Sequence, residues 1–313
     1  MIKNELDAAG VSDVALREAY AHCRAVNARD GKTFFLATRL LAPDRRPAVH
    51  ALYGFARHAD DILDGFDPRD SAQRGEQLQS LSDKLSECLT GGASSVGEPV
   101  LTAVVHTAHR YGIGWELFDD FLASMRMDLT VTGYPDRAAL ERYMYGSAEV
   151  IGLQMLPVLG TAVSRDEAAP YAAALGKAFQ LTNFLRDVDE DLTRGRVYLP
   201  ADELAVHDVD RDVLLWCQRQ GRTDQRVRKA LIDQHAAARR VYTEARPGIA
   251  MLEPVSRPCV QAALTLYSEI LSRIEALDFE IFGRRASVGK PRRAVVAGRG
   301  LAGAWWARSG MRR

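Results

Sequence analysis

Two short acidic stretches, each inside a helical pattern of apolar residues, place the strongest constraint on how this chain can fold. The first runs from Ala59 to Gly65 and the second from Asn183 to Asp191. In both, carboxylates recur four residues apart, where like charges on a helix repel each other by roughly 0.2–0.5 kcal/mol per pair. A dense group of carboxylates that does not simply face solvent needs a counter-charge, and hard divalent cations prefer such oxygen ligands.

The first acidic stretch continues the core-facing side of the helix that is expected after Pro43. At spacings of three and four residues, this side is formed by Val49, Tyr53, Ala56, Asp60 and Asp64. A solvated charge is not expected on such a stripe, and burying an unpaired carboxylate is expensive. The two acids are therefore either neutralised inside the protein or line a cavity. The alternative is a helix end whose acids reach water.

The second acidic stretch offers three oxygen ligands along one helix face, from Asn183, Asp187 and Asp191. That face comprises Gln180, Asn183, Asp187 and Asp191, and the adjoining face is apolar. Such donors suit Mg²⁺, which keeps several waters and also coordinates phosphate oxygens. Three arginines bracket the stretch, and their guanidinium groups match phosphate geometry: Arg186, Arg194 and Arg196. The alternative is a salt-bridged surface helix, which is less favoured when both acidic stretches are considered together.

The hydrophobic period along the chain predicts an all-α fold. Apolar residues recur with a 3.6-residue period and strict alternation is scarce, so about ten helices and no strand are expected. Ser164 opens a capping box for a helix that should run to about Asp191, and Leu192–Leu199 should form a loop. The length of 313 residues and the 47% apolar content suit one large globular domain.

Charge and cysteine usage exclude several classes of function. The formal net charge is zero, which argues against a nucleic-acid partner. The four cysteines lie far apart without a Cys-x-x-Cys pair, so a zinc site or redox motif is not expected, and a reducing cytoplasm is the simplest location. The N-terminus lacks an apolar signal core, and no apolar run reaches the roughly 18 residues of a membrane span.

The last 31 residues differ in composition from the rest of the chain. Residues 283–313 contain nine Lys and Arg and no acid, so residues 1–282 carry a net charge of −9. Their many Gly and Ala residues predict a disordered tail after a domain of residues 1–282. The other interpretation is peripheral attachment to anionic lipid, with Trp305 and Trp306 at the interface.

The two acidic stretches and the segments around them strongly resemble the squalene/phytoene synthase family, and the resemblance covers about residues 12–282. Within that family the pattern is most similar to the bacterial phytoene synthases. The resemblance is carried by GKTFFLATRLL from Gly31, ALYGFARHADDILDG from Ala51, MRMDL from Met125, YMYGSAEVIGLQML from Tyr143 and FQLTNFLRDVDEDLTRGRVYLPADEL from Phe179. The last of these is long and highly specific.

The resemblance implies a single-domain helical bundle of the isoprenoid-synthase type around a central cavity. It also implies a prenyltransferase that joins two geranylgeranyl diphosphates head-to-head, through a cyclopropyl diphosphate, to give phytoene. The final cation would lose a proton, so no NADPH is expected. Squalene or dehydrosqualene synthesis from two farnesyl diphosphates stays open as an alternative, as does a non-catalytic helical protein that only binds prenyl diphosphates.

The resemblance also implies roles for individual residues. Mg²⁺, with Mn²⁺ as an alternative, would be held by Asp60, Asp61 and Asp64 of the first motif and by Asn183, Asp187 and Asp191 of the second. Substrate binding falls to Arg57, Asp128, Gln180, Arg186 and Arg196. Residues next to the reacting groups are Phe34, Tyr53, Tyr143 and Tyr198. Two residues depart from the family pattern: Asp189 stands where many relatives have glycine, and Glu149 where the residue is usually small.

Overall fold

The computed structural model describes residues 2–63, 71–91 and 97–310, and all the regular elements in these ranges are helices. In chain order they are α1 (Ile2–Ala8), α2 (Val14–Asp30), α3 (Lys32–Thr38), α4 (Arg46–Leu63), α5 (Ser71–Thr90), α6 (Pro99–Tyr111), α7 (Trp115–Met127), α8 (Arg137–Met144), a π-helical turn (Tyr145–Glu149), α9 (Val150–Leu159), α10 (Arg165–Arg186), α11 (Val188–Thr193), α12 (Ala201–Ala205), α13 (Arg211–Gln220), α14 (Gln225–Ala245), α15 (Gly248–Met251), α16 (Arg257–Ala276) and α17 (Lys290–Gly310). Two isolated β-bridges are also present, Gly133 with Val197 and Thr161 with Leu252. The all-α prediction is confirmed.

Local sequence signals place the long helices well but miss the short ones. The predicted cap at Ser164 is confirmed, because its side chain accepts a hydrogen bond from the Glu167 amide at 3.2 Å. The predicted number of about ten helices is wrong, since the described residues contain seventeen α-helices. The difference comes from helices of four to seven residues, such as α11 and α15, which are too short to show a hydrophobic period.

The second acidic stretch is not one helix, which corrects the prediction. Helix α10 ends at Arg186, Asp187 adopts φ −108° and ψ 13°, and α11 begins at Val188. Neighbouring residues on a regular helix do not face each other. Arg186 nevertheless donates to both carboxylate oxygens of Asp187, at 2.9 and 2.5 Å. The pair therefore lies at the junction of the two helices, where the Asp187 amide still donates to the Asn183 carbonyl at 2.8 Å.

Helices α9 and α10 pack closely along one side of a central cavity. A Cβ atom on Gly152 of α9 would lie 2.2 Å from the Ala172 carbonyl oxygen of α10. A Cβ on Gly176 would lie 2.3 Å from the Ala148 carbonyl oxygen in the π-helical turn. Both obstacles are backbone atoms, so glycine is required at these positions for the helices to approach this closely.

We expect Gly152→Ala to lower the free energy of unfolding by about 1–3 kcal/mol, because overpacking a helix contact forces the backbones apart. The matched control is Gly298→Ala on α17, where no atom lies within 4 Å of the added Cβ. Helix propensity should raise the stability of that variant by about 0.5–1 kcal/mol. Urea denaturation followed by circular dichroism measures both changes, and equal stability of the two variants would contradict the assigned packing.

The basic tail is folded where the structure describes it, which corrects the prediction of disorder. Residues 290–310 form α17, which packs against α16. Val296 and Ala304 are buried, and Gly300 between them lies against Leu40. These small residues recur at four-residue spacing, so they form a narrow packing face rather than a flexible linker. Among the described residues, no helix combines the length and the apolar character that crossing a membrane requires.

Candidate active site

The main cavity is an apolar chamber with a polar end. Helix α10 lines it from Ala168 to Asn183, a span of fifteen residues and about 22 Å along the helix axis. Around the rest of the chamber, its wall includes Phe34, Thr38, Val49, Leu52, Tyr53, Ala56, Ser147, Ile151, Met155, Leu159, Leu252, Cys259 and Val260. Gln180 and Asn183 stand at one end of the α10 stripe, and the other end is formed by Ala168, Ala172 and Leu175 together with the ring of Tyr171. The part of the segment from Tyr143 to Leu159 that lies beyond Gly146 also contributes to the wall.

An aromatic group surrounds the polar end of the chamber. Phe34 lies 5.0 Å from Tyr267, 5.9 Å from Phe179 and 6.4 Å from Tyr53, measured between ring centroids. Phe34, Tyr53 and Phe179 line the cavity, and the first two are among the site residues predicted from the sequence. Tyr267 on α16 was missed, because its neighbours in the chain carry no motif that distinguishes it from a core residue.

The first acidic motif lies at the C-terminal end of α4, one to two turns after Tyr53. Arg57 donates to Asp60 at 3.1 Å and forms an ion pair with Asp61 at 2.5 Å. Both carboxylates are about half exposed, so they reach the surface rather than the core. Burial raises the pKa of Tyr53 to about 12, and Asp30 and the motif acids act on it in the same direction. Asp64 lies outside the described residues.

The second acidic motif is held by arginines. Besides its two bonds from Arg186, Asp187 forms an ion pair with Arg285 at 2.8 Å. Arg186 is mostly buried and lies beside the Tyr267 hydroxyl, which connects this motif to the aromatic group. Tyr267 interacts electrostatically with Arg186, Asp187 and Tyr53. Both motifs therefore interact with residues of the same aromatic group, the first through Tyr53 and the second through Tyr267.

Two features of the second motif fit a divalent cation. The Asn183 Oδ1 atom is buried and has no hydrogen-bond partner among the described residues, so it is an acceptor whose desolvation is not compensated. Burial, together with the nearby Asp187 carboxylate, raises the pKa of Asp191 to about 7. A bound cation would favour the ionised form and would also satisfy the Asn183 oxygen. The donor set is thus compatible with Mg²⁺.

The protein does not supply a complete metal cage by itself. Within residues 2–63, 71–91 and 97–310, no three His, Cys, Asp or Glu side chains are grouped closely enough to hold a metal. This arrangement suits Mg²⁺, which is usually bound through one or two carboxylates together with waters and substrate phosphates. The roles toward a metal of the ligands predicted from the sequence stay a prediction.

A second polar group contains three of the predicted site residues. Asp128 accepts hydrogen bonds from Tyr143 at 2.8 Å and from Tyr198 at 3.2 Å, and Arg196 donates to the Asp128 carbonyl at 2.8 Å. Tyr143, Tyr198 and Asp128 are absent from the wall of the main cavity. Burial raises the pKa of Asp128, whereas Arg196 and the two hydroxyl groups lower it. This second polar group is linked electrostatically to the second acidic motif, because the Tyr198 hydroxyl interacts with the Asp191 carboxylate.

Arg285 and Asp189 tie the segment after α16 to the second motif. Arg285 reaches Asp187 and lies 3.5 Å from Glu190. The Asp189 carboxylate accepts from the Gly283 amide at 3.1 Å and from Gln218 at 3.0 Å. Asp189 therefore makes specific contacts within the protein. Arg285 was missed by the sequence analysis, because it lies in the segment assigned to the tail.

Glu149, the other departure from the family pattern, does not narrow the chamber. It is absent from the cavity wall and lies 3.8 Å from the Lys177 ammonium group. Burial raises its pKa, whereas Lys177 lowers it. The main cavity is therefore shaped by its neighbours Ser147, Ala148 and Ile151.

Comparison with known proteins assigns the fold and the family. The family model described as squalene/phytoene synthase matches residues 27–292. A phytoene synthase from Arthrospira platensis is 38% identical over 282 residues, which cover 87% of this chain and 88% of that protein. A chloroplastic phytoene synthase from Daucus carota is 37% identical over 298 residues, covering 94% of this chain and 73% of that protein.

Solved structures agree with the sequence relatives. A dehydrosqualene synthase crystallised with a ligand has a TM-score of 0.82 at 26% identity, and the match covers 92% of this chain and 96% of that chain. The matched segment of the family model contains both acidic motifs and the aromatic group that joins them. The chain therefore belongs to the squalene/phytoene synthase family.

Proposed function

We propose that this protein is a prenyltransferase that joins two geranylgeranyl diphosphates head-to-head, through a cyclopropyl diphosphate, to give phytoene. The observation that carries the proposal is the chamber along α10, which is apolar for most of its length and ends at Gln180 and Asn183 beside the arginine-rich acidic motifs. Such a site suits a long hydrocarbon chain that carries a charged head group. The phytoene synthases that are 36–38% identical over most of this chain support the choice of substrate.

We further propose that the site works with Mg²⁺ or Mn²⁺ and without NADPH. Asp60, Asp61 and Asp64 would hold the metal in the first motif, and Asn183, Asp187 and Asp191 would hold it in the second. The unpartnered Asn183 oxygen and the raised pKa of Asp191 support the second set. Bound divalent cations would supply the electrophilic pull that makes diphosphate a good leaving group.

The arginines and the buried polar group orient the head groups. Arg186 and Arg57 present guanidinium groups already fixed by acidic partners, so they can bind diphosphate oxygens with little further ordering. Arg196 is held by the Asp128 carbonyl, and Tyr143 and Tyr198 fix the Asp128 side chain. We therefore assign these two tyrosines and Asp128 a positioning role.

The aromatic group and the chamber protect the cation that ionisation leaves. The rings of Phe34, Phe179 and Tyr267 lie at the polar end of the chamber, and aromatic faces attract positive charge. The apolar wall excludes water, which would otherwise capture the allylic cation. The double bond of the second substrate is then the available nucleophile, and loss of a proton closes the cyclopropane ring. The second diphosphate leaves in a second ionisation, and rearrangement with loss of a second proton gives phytoene.

A further proposal concerns the cellular location of the enzyme. All four cysteines are free and buried, which supports a reducing cytoplasm as the proposed location.

Farnesyl diphosphate is the second candidate substrate, because the structural match with a TM-score of 0.82 is a dehydrosqualene synthase. The two candidates differ in chain length rather than in the chemistry of the head groups.

We expect the purified protein to convert geranylgeranyl diphosphate and Mg²⁺ to phytoene without any reductant. Parallel incubations with farnesyl diphosphate, with and without NADPH, followed by mass spectrometry of the hydrocarbon, identify the substrate. Addition of EDTA should stop product formation, since diphosphate is a poor leaving group without metal. Preferred turnover of farnesyl diphosphate would refute the assigned chain length. Binding of both diphosphates without any hydrocarbon product would favour a non-catalytic binding protein.

A further inference from the structure

Helix α17 has a fixed inner face. Gly303 lies 3.7 Å from Pro258 on α16, when measured from an ideal Cβ position, and Gly300 contacts Leu40. Arg292 forms an ion pair with Glu269 at 2.6 Å, and Arg308 donates to the Leu40 carbonyl at 2.7 Å. These contacts along its length fix the rotation of the helix, so its outer face is defined as well.

The outer face of α17 is apolar and exposed. Trp306 is 74% exposed and Trp305 66%, and Leu301 and Val295 are about half exposed. They are four of the eight large apolar side chains that are exposed in the described part of the chain. Concentration of such residues on one helix marks an interaction surface rather than ordinary scatter.

The charge around this face is positive. The segment from residue 283 to the end of the chain has nine Lys and Arg and no acid. Lys290 and Arg299 are exposed, and neither has an acidic partner within residues 2–63, 71–91 and 97–310. Exposed tryptophans beside unpaired basic residues complement a bilayer that carries anionic headgroups, because the rings suit its interface and each basic residue gains about 1 kcal/mol near its surface.

The face is also well placed relative to the chamber. Cys259 and Val260 at the start of α16 line the chamber, and the preceding Pro258 contacts α17. On the other flank, Thr38 of α3 lines the chamber and Leu40, just after α3, contacts Gly300. Helix α17 is therefore separated from the apolar chamber by single layers of helix.

We propose that the outer face of α17 docks on the surface of an anionic lipid bilayer, with Trp305 and Trp306 at the level of the headgroups. The helix lies in the plane of the interface and does not cross it. The benefit of this attachment rests on the proposed function, because a hydrocarbon product has to leave into a membrane. The attachment itself is independent of the chemistry and can be measured without substrate.

The test is co-sedimentation of the full chain with vesicles of phosphatidylcholine alone and of phosphatidylcholine with 30–40% phosphatidylglycerol, roughly the anionic content that gives a substantial surface potential. We expect binding to the anionic vesicles, and a loss of about tenfold in the partition coefficient for Trp305→Ser/Trp306→Ser. Arg299→Glu should weaken binding further and reduce its sensitivity to salt. The matched control replaces two exposed apolar residues elsewhere, Val206→Ser and Ile232→Ser, and should bind as the wild type does.

Several outcomes would overturn the proposal. These are a wild-type chain that binds neither kind of vesicle, a tryptophan pair whose removal has no effect, and a control pair that weakens binding equally. If the tryptophan variant instead dissociates a dimer in light-scattering measurements while vesicle binding is unchanged, the face is a contact between two copies. Turnover of detergent-dispersed substrate should be the same in the tryptophan variant and the wild type, so loss of attachment is distinguishable from failure of the proposed chemistry.

Discussion

Replacement of Asp187 by Asn is expected to lower kcat by about 10³-fold while the fold is retained, because charge at this position serves the departure of diphosphate. Asp187 lies at the break between α10 and α11, where it binds Arg186 through both oxygens and Arg285 through one. The amide would keep the shape of the side chain but lose the negative charge that holds both arginines. It would also lose a proposed metal ligand.

Steady-state kinetics with geranylgeranyl diphosphate and Mg²⁺ measure the effect of Asp187→Asn, and circular dichroism verifies the fold. Asp233→Asn is the matched control, because Asp233 is an exposed carboxylate that pairs only with His207 in the described structure. It should leave turnover unchanged. An Asp187→Asn enzyme as active as this control would remove the second motif from the catalytic site.

The second large effect is expected for Arg186→Lys, which should lower kcat by about 10²-fold. The guanidinium group of Arg186 donates to both oxygens of Asp187 and at the same time lies beside Tyr267. A lysine ammonium is a point charge on a flexible stem and cannot reproduce this planar arrangement. The substitution should therefore loosen the contact between the second motif and the aromatic group without changing the net charge.

The matched control for Arg186→Lys is Arg194→Lys in the same motif. Arg194 is more exposed than Arg186 and pairs with Glu190 one helical turn away, at 3.2 Å. Such surface pairs contribute little, so activity should stay close to that of the wild type. Comparable losses in the two variants would show that Arg186 acts only through general charge, which would contradict the geometric argument.

Much of the fold follows from local sequence signals. The cap at Ser164 and the hydrophobic period of α10 locate the longest helix of the described chain, and Gly112 and Gly221 end α6 and α13 in the left-handed conformation. Such signals act over a few residues, so they can be recognised without knowledge of the tertiary structure. The contact between Arg186 and Tyr267 beside the break at Asp187 is different, since it joins residues that are 81 positions apart.

The tail shows why composition alone misleads. Its Gly and Ala residues resemble a linker, but Gly300 and Ala304 are small because α17 must approach Leu40 and α16 closely. Whether a run of small residues is flexible or packed depends on a partner surface, which the tail sequence does not contain.

The candidate site was predictable where chemistry is concentrated in motifs. Among the predicted site residues, Phe34, Tyr53, Gln180 and Asn183 line one chamber. Asp128, Tyr143 and Tyr198 were expected beside them but form a separate buried group. Arg285 was missed because it reaches Asp187 from almost a hundred residues away. Long-range packing decides these placements, and a single sequence does not specify it.

The course of α10 along the chamber has a consequence for substrate length. Each turn of the helix advances about 5.4 Å, close to the extended length of one isoprene unit. Successive depths of the chamber, measured from the proposed position of the diphosphate, are therefore marked by the α10 residues Asn183, Phe179, Leu175, Ala172 and Ala168. A bulky side chain at one of these positions would limit how many isoprene units fit in the chamber, and the catalytic groups would keep their positions.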